Sequence, residues 1–302
     1  ENVYDFAYEE DPTYNILNVN TYTIPKTVFD MYWMDIKTGN TEEGFKNKTK
    51  NYDSNTAHNG DDEAYFVVDL TNPAFNYNPV NNQITVNTSS GEVTQSGEMK
   101  ITWKGLALSK SSETLSRTIK LKWSNEANAG TIAFDSNGGS AVPMLRLLAG
   151  TALSGKMPAA PTRVGYTFAG WYTDKALTNS FTATTMPNGN TTLYAKWTPN
   201  TVKYTVEHYQ KALNGQYVLI DTDRTQTGKV GEQTTAVAKN YTGFTAQAVK
   251  QQTIAPDGST FVAIYYDRNL YDLKFVYGNG SNDIALKVPY GSDIVKPFNP
   301  TK

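Results

Sequence analysis

The stretch from Thr131 to Trp197 constrains the fold of this chain more than any other part of the sequence. It opens with an apolar strand, Thr131 to Phe134, which runs into Asp135-Ser136-Asn137-Gly138-Gly139. Asn-Gly-Gly after a strand predicts a tight turn, because glycine reaches positive φ without a clash at Cβ. An aromatic run between glycines follows, Gly165-Tyr166-Thr167-Phe168-Ala169-Gly170-Trp171-Tyr172, and Leu193-Tyr194-Ala195-Lys196-Trp197 closes the stretch. We expect a domain of about seventy residues whose apolar area is mostly aromatic.

These residues resemble the Listeria–Bacteroides repeat, the B repeat of internalin-type surface proteins. The likeness rests on the Phe-Asp-Ser-Asn-Gly-Gly opening, the Pro-Thr-Arg-x-Gly-Tyr-Thr-Phe-Ala-Gly-Trp-Tyr centre and the Leu-Tyr-Ala-Lys-Trp close. The resemblance implies a compact β-grasp-like sheet with one short helix or irregular crossover. It also implies a bacterial surface protein from a Gram-positive bacterium. The segment from Val142 to Ser154 is less regular and leaves the second strand open.

The composition favours several folded β domains. Of 302 residues, 39% are hydrophobic and 20 are tyrosine. Thr, Asn, Tyr and Gly are plentiful, and no long run has helical periodicity. The net charge is −2 and no basic cluster occurs, so we expect no nucleic-acid or anionic-membrane partner. The absence of cysteine excludes disulfides, thiol catalysis and cysteine metal sites.

Residues 1–129 are predicted to form an immunoglobulin-like β-sandwich, the first domain. In Met99 to Trp103 and in Ile119 to Trp123, apolar and polar side chains alternate, which indicates strands with one wet face. Short strands with Asn, Gly and Pro turns between them suggest two packed sheets. The candidate strands are Val28 to Met34, Ala64 to Leu70, Gln83 to Asn87, Glu98 to Lys104 and Thr118 to Trp123, with turn-rich connections at Asn72 to Asn82 and Thr88 to Gly97.

The rest of the chain reads as a tandem array. After the repeat module, residues 130–199, come a third module, residues 200–269, and a fourth segment, residues 270–302, predicted to be a truncated repeat. The third module resembles mucin-binding-type repeats through Tyr204 to Tyr209, Gly243-Phe244 and Thr260 to Tyr266. Strand starts near Thr131, Val202 and Tyr271 recur about every seventy residues, as in tandem modules.

The joints between these modules are short. Trp197-Thr198-Pro199-Asn200-Thr201 and Tyr266-Asp267-Arg268-Asn269-Leu270 each pass from a closing strand to the next opening strand within a few residues. Short joints, one of them with proline, restrict rotation. We therefore predict a semi-rigid rod.

The two histidines are the first candidates for chemistry, because histidine is the commonest acid–base residue. His208 falls on the strand face of Tyr204 and Val206, which favours a polar strand-end cap or partly buried ring over a catalyst. His58 lies in the polar loop Asp53 to Glu63, whose oxygens could bind calcium. The spacing does not satisfy the EF-hand pattern, so a solvated acidic turn is favoured and calcium binding stays open.

Two further groups of residues admit a functional and a structural interpretation. Tyr166, Phe168, Trp171 and Tyr172 could form a sugar-stacking platform, but a small module without disulfides needs this area in its core. We therefore predict core packing for Phe168 and Trp171 and exposure for Tyr172. A lysine–asparagine isopeptide crosslink needs a buried lysine. Lys100, Lys120 and Lys122 fall on polar strand faces, which disfavours one.

No Gly-x-Ser-x-Gly or His-Glu-x-x-His motif occurs, and we nominate no catalytic, cofactor-binding or metal-ligating residue. No apolar run spans a bilayer and Glu1 does not begin a signal peptide, so we expect any export signal or wall anchor to lie elsewhere. The resemblance implies a monomeric, extracellular adhesin or stalk that contacts a host protein or glycan. Two alternatives remain: an accessory region of a large cell-surface hydrolase, and a carbohydrate-binding first domain.

Overall fold

A computed structural model describes residues 2–6, 11–29, 31–35, 41–42, 65–104, 116–278 and 282–295. This part of the chain is almost entirely β, which confirms the predicted fold class. Its helical content is two short 3-10 turns, Lys26–Phe29 and Glu126–Asn128. The chain divides into two compact units. The first contains residues 1–134, 143–159 and 181–193, and the second contains residues 135–142, 160–180 and 194–302.

The first ten strands form three sheets. Their orders are β2-β10-β9-β6, β3-β8-β7 and β1-β4-β5. The strands are β1 (Asn2–Phe6), β2 (Thr13–Leu17), β3 (Thr21–Thr23), β4 (Met31–Asp35), β5 (Thr41–Glu42), β6 (Tyr65–Leu70), β7 (Phe75–Asn78), β8 (Gln83–Val86), β9 (Thr94–Lys104) and β10 (Ser116–Ser124).

The sheets β2-β10-β9-β6 and β3-β8-β7 have the strand order of an immunoglobulin-like sandwich. Counted along the chain, β6, β9 and β10 take the places of strands C, F and G, and β3, β7 and β8 those of B, D and E. β2 takes the place of strand A and pairs parallel with β10. One buried cluster joins both sheets through Ile16, Phe75, Ile84, Val86, Met99, Ile101, Ile119, Leu121 and Trp123.

The alternation predicted for β10 is confirmed, and that of β9 is confirmed from Met99 to Ile101, whereas Thr102 on its predicted polar face is buried. Ile119, Leu121 and Trp123 are buried, while Lys120 and Lys122 are exposed. Lys100 is exposed as well, so all three lysines have the wet environment that the strand pattern predicts.

Three predicted segments of the first domain differ from the structure. Val28 to Met34 is not one strand, because Val28 and Phe29 are buried in a 3-10 turn and β4 begins at Met31. The connection Asn72 to Asn82 contains β7, whose four residues lie between Pro73 and Pro79, so neither proline has to donate to the strand pairing. β9 begins at Thr94, inside the second predicted connection. The polar loop Asp53 to Glu63, with His58, lies outside the described residues.

The repeat module forms one four-stranded sheet in the order β12-β11-β14-β13. Its strands are β11 (Ala129–Asp135), β12 (Leu145–Leu148), β13 (Tyr166–Tyr172) and β14 (Gly189–Pro199). The second strand, which the sequence left open, is therefore Leu145–Leu148. This order, second-first-fourth-third along the chain, is β-grasp-like, and residues 149–165 cross over without a helix.

The third module repeats that topology in the order β17-β16-β20-β19, with β16 and β20 parallel. Tyr204, Val206 and Tyr266 are buried in its core, as the alternation predicts for the first two. The strands are β15 (Thr201–Lys203), β16 (Thr205–Lys211), β17 (Tyr217–Asp223), β18 (Thr227–Lys229), β19 (Phe244–Ala246) and β20 (Phe261–Arg268), followed in the fourth segment by the hairpin of β21 (Leu270–Phe275) and β22 (Ile284–Pro289).

Candidate functional site

The same backbone contact recurs where each module begins. The residue just before each opening strand is Asn128, Asn200 or Asn269. Its carbonyl oxygen accepts the N–H of a residue that precedes a left-handed glycine. The donors are Ala149 at 2.8 Å, Val230 at 3.1 Å and Tyr290 at 2.8 Å, followed by Gly150, Gly231 and Gly291 with φ of 82°, 85° and 74°.

The strand register beside this contact is also the same in the three modules. The first residue of each opening strand pairs with the residue two places before the left-handed glycine. The pairs are Ala129 with Leu148, Thr201 with Lys229 and Leu270 with Pro289. The modules therefore begin with one shared local structure, although their side chains there differ.

At two of these joints, the asparagine also binds the module that it leaves. The Asn200 N–H donates to the Gly165 carbonyl at 2.9 Å, and the Thr167 hydroxyl donates to Asn200 Oδ1 at 2.6 Å. The Asn269 N–H donates to Gly243, and Thr245 to Asn269 Oδ1, at the same two distances. Each asparagine thus bridges the segment Gly-aromatic-Thr of one module to the turn of the next.

A glycine of the preceding module packs closely against the following one at all three joints. Gly91, Gly165 and Gly243 have φ of 79°, 79° and 82°. A Cβ there would lie 2.3 Å from Thr151 Cγ2, 2.4 Å from Pro256 Cβ and 2.1 Å from Tyr290 Cδ1, respectively. Only glycine satisfies both the left-handed backbone and this approach. Gly165 is the glycine that begins the aromatic run.

The aromatic centre of the repeat module is half-buried, so the predicted aromatic core is wrong for this module. Phe168 makes edge-to-face contacts with Trp171 and Trp197 at centroid distances of 5.2 and 5.7 Å. All three rings keep some exposure, two of them on the edge strand β13 and Trp197 on the neighbouring strand β14. Tyr172 is half-buried, with the Lys196 ammonium 4.8 Å from its ring centroid. The buried hydrophobic side chains of the module are Ile132, Leu147, Leu148, Leu153, Met186, Leu193 and Ala195.

The Asn-Gly-Gly turn contacts the Trp197 ring and accepts its hydrogen bond. Trp197 Nε1 donates to the Ser136 carbonyl at 2.8 Å, and a Cβ on Gly139 would lie 2.4 Å from Trp197 Cζ2. Asn137 and Gly138 have φ of 46° and 84°, as a tight hairpin turn requires. The turn predicted from sequence is confirmed, and the structure adds the tryptophan that it contacts.

His208 belongs to a closed polar cluster inside the third module. The ring is 1% exposed, more buried than predicted, and its Nδ1 lies 2.8 Å from Tyr266 Oη. That oxygen also accepts the Lys239 N–H at 2.8 Å. Burial, followed by the Lys239 ammonium, lowers the pKa of His208. The Tyr241 hydroxyl is buried beside it without a hydrogen-bond partner. We interpret the cluster as structural.

A polar cleft of about 740 Å³ lies in the first unit, on the wet face of β2, β10 and β9. Asn72 Nδ2 donates to Gln95 Oε1 at 3.1 Å and to the Ser96 carbonyl at 2.8 Å, and Gln95 donates to Glu92. Arg146 pairs with Glu126. The lining residues are Asn15, Leu17, Asn72, Glu92, Val93, Thr94, Gln95, Ser96, Lys122, Trp123, Ser124, Glu126 and Arg146.

The sequence did not reveal this cleft. Its residues come from distant segments, and the one available signal was the alternation that places Lys122 on a wet face. Among the described residues, no group of three or more His, Cys, Asp or Glu side chains is arranged to hold a metal ion. The same part of the chain contains no helix with the length and hydropathy needed to cross a bilayer.

Comparison with known protein families identifies the same stretch as the resemblance in the sequence, Thr131 to Trp197. Residues 131–196 match the family model of the Listeria-Bacteroides repeat domain. That family is surface-associated. The match indicates a surface or extracellular repeat protein.

Two relatives come from Evansella cellulosilytica. A provisionally named Gly-rich membrane protein is 29% identical over 190 residues, which cover 60% of this chain and 21% of that protein. A provisionally named membrane protein is 28% identical over 193 residues, which cover 61% of this chain and 28% of that protein. The chain therefore spans well under half of either relative.

Among solved structures, the Bacillus anthracis TIE protein matches over 76% of this chain and 61% of its own chain. The sequence identity is 12% and the TM-score is 0.27.

Proposed function

We propose that this chain is a non-catalytic part of a secreted bacterial surface protein, in which tandem β modules act as an adhesive stalk. The observation that carries the proposal is the recurring asparagine joint. A surface-associated repeat at residues 131–196 supports the surface location. The chain would lie outside the cell, on the surface or wall of a Gram-positive bacterium, as a monomer.

The joints support a spacing role because they resist bending. At Asn200, reorienting the two modules breaks either the bond from Val230 or the two bonds that Asn200 makes with Gly165 and Thr167. A net hydrogen bond contributes about 0.5–1.5 kcal/mol, so one or two of them oppose opening by roughly 0.5–3 kcal/mol. The Gly165 contact with Pro256 adds close packing. A linker of flexible residues would offer no such resistance.

The adhesive part of the proposal concerns contact with a host surface protein or a glycan. The mainly polar exposed faces of the first domain and its cleft support such contact. A second candidate function is an accessory region of a large cell-surface hydrolase. We retain this second candidate because the match covers only 21% and 28% of the two relatives, so most of each of those proteins lies outside it.

Reach on a cell surface tests the spacing role. The chain would be displayed between an N-terminal epitope tag and a wall anchor, and binding of a bulky antibody to the tag would be measured. Deletion of residues 200–269 should reduce antibody access at equal surface amount. Replacement of that module by a flexible Gly-Ser linker of equal residue number should not restore it. Equal access in all three proteins would contradict the proposal.

A further inference from the structure

We infer that the polar cleft of the first unit binds a neutral oligosaccharide. This inference rests on the adhesive part of the proposed function and does not depend on the spacing role. It names both the site and the chemical class of the ligand.

The cleft is held in shape by the joint beside it. Leu148 donates its N–H to the Gly91 carbonyl at 2.7 Å, and Lys156 Nζ donates to the Ser90 carbonyl at 2.8 Å. Both bonds fix the segment that includes Arg146 against the first domain, and Gly91 packs on Thr151. Arg146 follows the predicted domain boundary at 129/130, so residues 1–129 alone lack it. Ligand sites are common at such junctions between modules.

The charges of the cleft favour an uncharged ligand. Glu92 and Glu126 contribute two negative charges, and Lys122 and Arg146 contribute two positive ones. These charges cancel over the lining as a whole. The cleft therefore has no net charge with which to attract a phosphate, an acidic peptide or an anionic glycan.

The hydrogen-bonding groups suit a polyol. The Asn15 amide can both donate and accept, and the Asn72 and Gln95 amides line the cleft while bonding to each other and to Ser96, Ala74 and Glu92. Three hydroxyls line the cleft as well, from Thr94, Ser96 and Ser124. Sugar hydroxyls also donate and accept, so they can satisfy both kinds of group at once.

The remaining features agree with a sugar of several rings. Leu17 is 61% exposed and lines the cleft, so it offers an apolar surface to the C–H face of a ring. The volume of about 740 Å³ falls within the roughly 300–1,000 Å³ of ligand pockets. A single ion would leave most of this space unfilled.

The test uses the purified 302-residue chain, because the cleft needs both the first domain and Arg146. An array would carry neutral host-type glycans, neutral polysaccharides of bacterial walls, and sialylated or sulfated glycans. Neutral ligands of either source should bind, and which of the two binds identifies the source. Binding to no neutral glycan, or to acidic glycans alone, would overturn the inference.

Two lysines of β10 provide a matched pair for titration calorimetry with the best neutral glycan. Lys122 lines the cleft, whereas Lys120 is exposed on the same strand face and does not. Lys122→Ala combined with Asn15→Ala should weaken binding at least about tenfold, the factor that corresponds to 1.4 kcal/mol. Lys120→Ala should leave it unchanged. If Lys120→Ala weakened binding as much as the Lys122→Ala/Asn15→Ala double change, the site would be refuted.

These measurements separate this inference from the spacing role. Glycan binding is measured in solution and needs no surface display, while antibody reach needs no ligand. Each variant's thermal midpoint should match that of the wild type, because all three substituted side chains are exposed.

Discussion

Replacing Gly165 by alanine should loosen the joint between the repeat module and the third module. Two costs follow from the structure. The residue has φ of 79°, a left-handed conformation that costs an L-residue about 1–2 kcal/mol. In addition, the new Cβ would lie 2.4 Å from Pro256 Cβ and 2.8 Å from Pro256 Cα, so the neighbouring backbone must move.

The second cost is the informative one, and Gly215→Ala provides its control. Gly215 has φ of 85°, yet nothing lies within 4 Å of a Cβ built there. Gly215→Ala therefore has the backbone strain alone. Overpacking costs about 1–3 kcal/mol, which is comparable to the joint's own hydrogen bonds. We expect Gly165→Ala to open the joint in an appreciable fraction of molecules and Gly215→Ala to leave it closed.

Spin labels measure this opening directly. The chain has no cysteine, so Lys175→Cys and Val237→Cys place one label on each side of the joint. Both positions are exposed and belong to the second unit. The distance distribution between the labels should be narrow in the parent and after Gly215→Ala, and broad after Gly165→Ala. Hydrogen exchange at the Asn200 and Val230 amides should accelerate only in the latter.

Equal distributions for the two alanine variants would refute the reasoning. They would mean that the Gly165 approach does not hold the modules together, whatever its effect on stability. A broad distribution in the parent would refute it as well, because the hydrogen bonds of Asn200 would then not restrict the joint.

Three further predictions concern single modules. Tyr241→Phe should be neutral or slightly stabilising, because it removes a buried hydroxyl without a partner. Tyr266→Phe should destabilise the third module by about 1–3 kcal/mol, because it leaves the Lys239 N–H and His208 Nδ1 unsatisfied. Urea unfolding, followed by amide exchange of the third module, compares the two variants. Because the pKa of His208 is lowered below its ordinary 6.5, the unfolded chain binds the proton more tightly. The free energy of unfolding of this module should be highest above pH 6.5, fall as the pH drops toward the lowered native pKa, and level off below it. The measurement uses a His58→Gln variant, which leaves His208 as the one histidine of the sequence, and a flat pH profile would contradict the prediction. Gly139→Ala should push Trp197 from the Ser136 carbonyl and shift tryptophan fluorescence to longer wavelength, while an unchanged spectrum would show that the turn does not seat the ring.

Strand faces and turns were predictable because they depend on local pattern. The alternation in Ile119 to Trp123 and in Val202 to Val206 fixes which side chains face a core, since side chains alternate across a strand. Asn-Gly-Gly likewise specifies its turn from local backbone preference alone. The strand Leu145–Leu148 was left open because four residues are too few to show a period, and its place is set by pairing with β11.

The interior of the repeat module was predicted wrongly for a related reason. Phe168 and Trp171 are the largest apolar side chains of the motif, so the core of the module was predicted to consist mainly of them. The buried core instead uses Leu147, Leu148 and Leu153, from the stretch without a pattern, and Met186 from another irregular segment. In the third module, Tyr204 and Tyr266 are buried, and there an aromatic interior is found. Periodicity identifies a strand's inner face but not what a loop contributes to the core.

The two sides of each joint place different demands on the sequence. What each turn must supply is a backbone N–H followed by a left-handed glycine, and Ala149, Val230 and Tyr290 all supply it. The backbone contact itself specifies no side chain at that residue, although the Tyr290 ring packs against Gly243. The other half of the joint is more demanding, because it needs a glycine without room for a methyl group and, at Asn200 and Asn269, a threonine hydroxyl two residues later. The short segments that Gly165-Tyr166-Thr167 and Gly243-Phe244-Thr245 share are the parts of the two modules that hold the chain's joints.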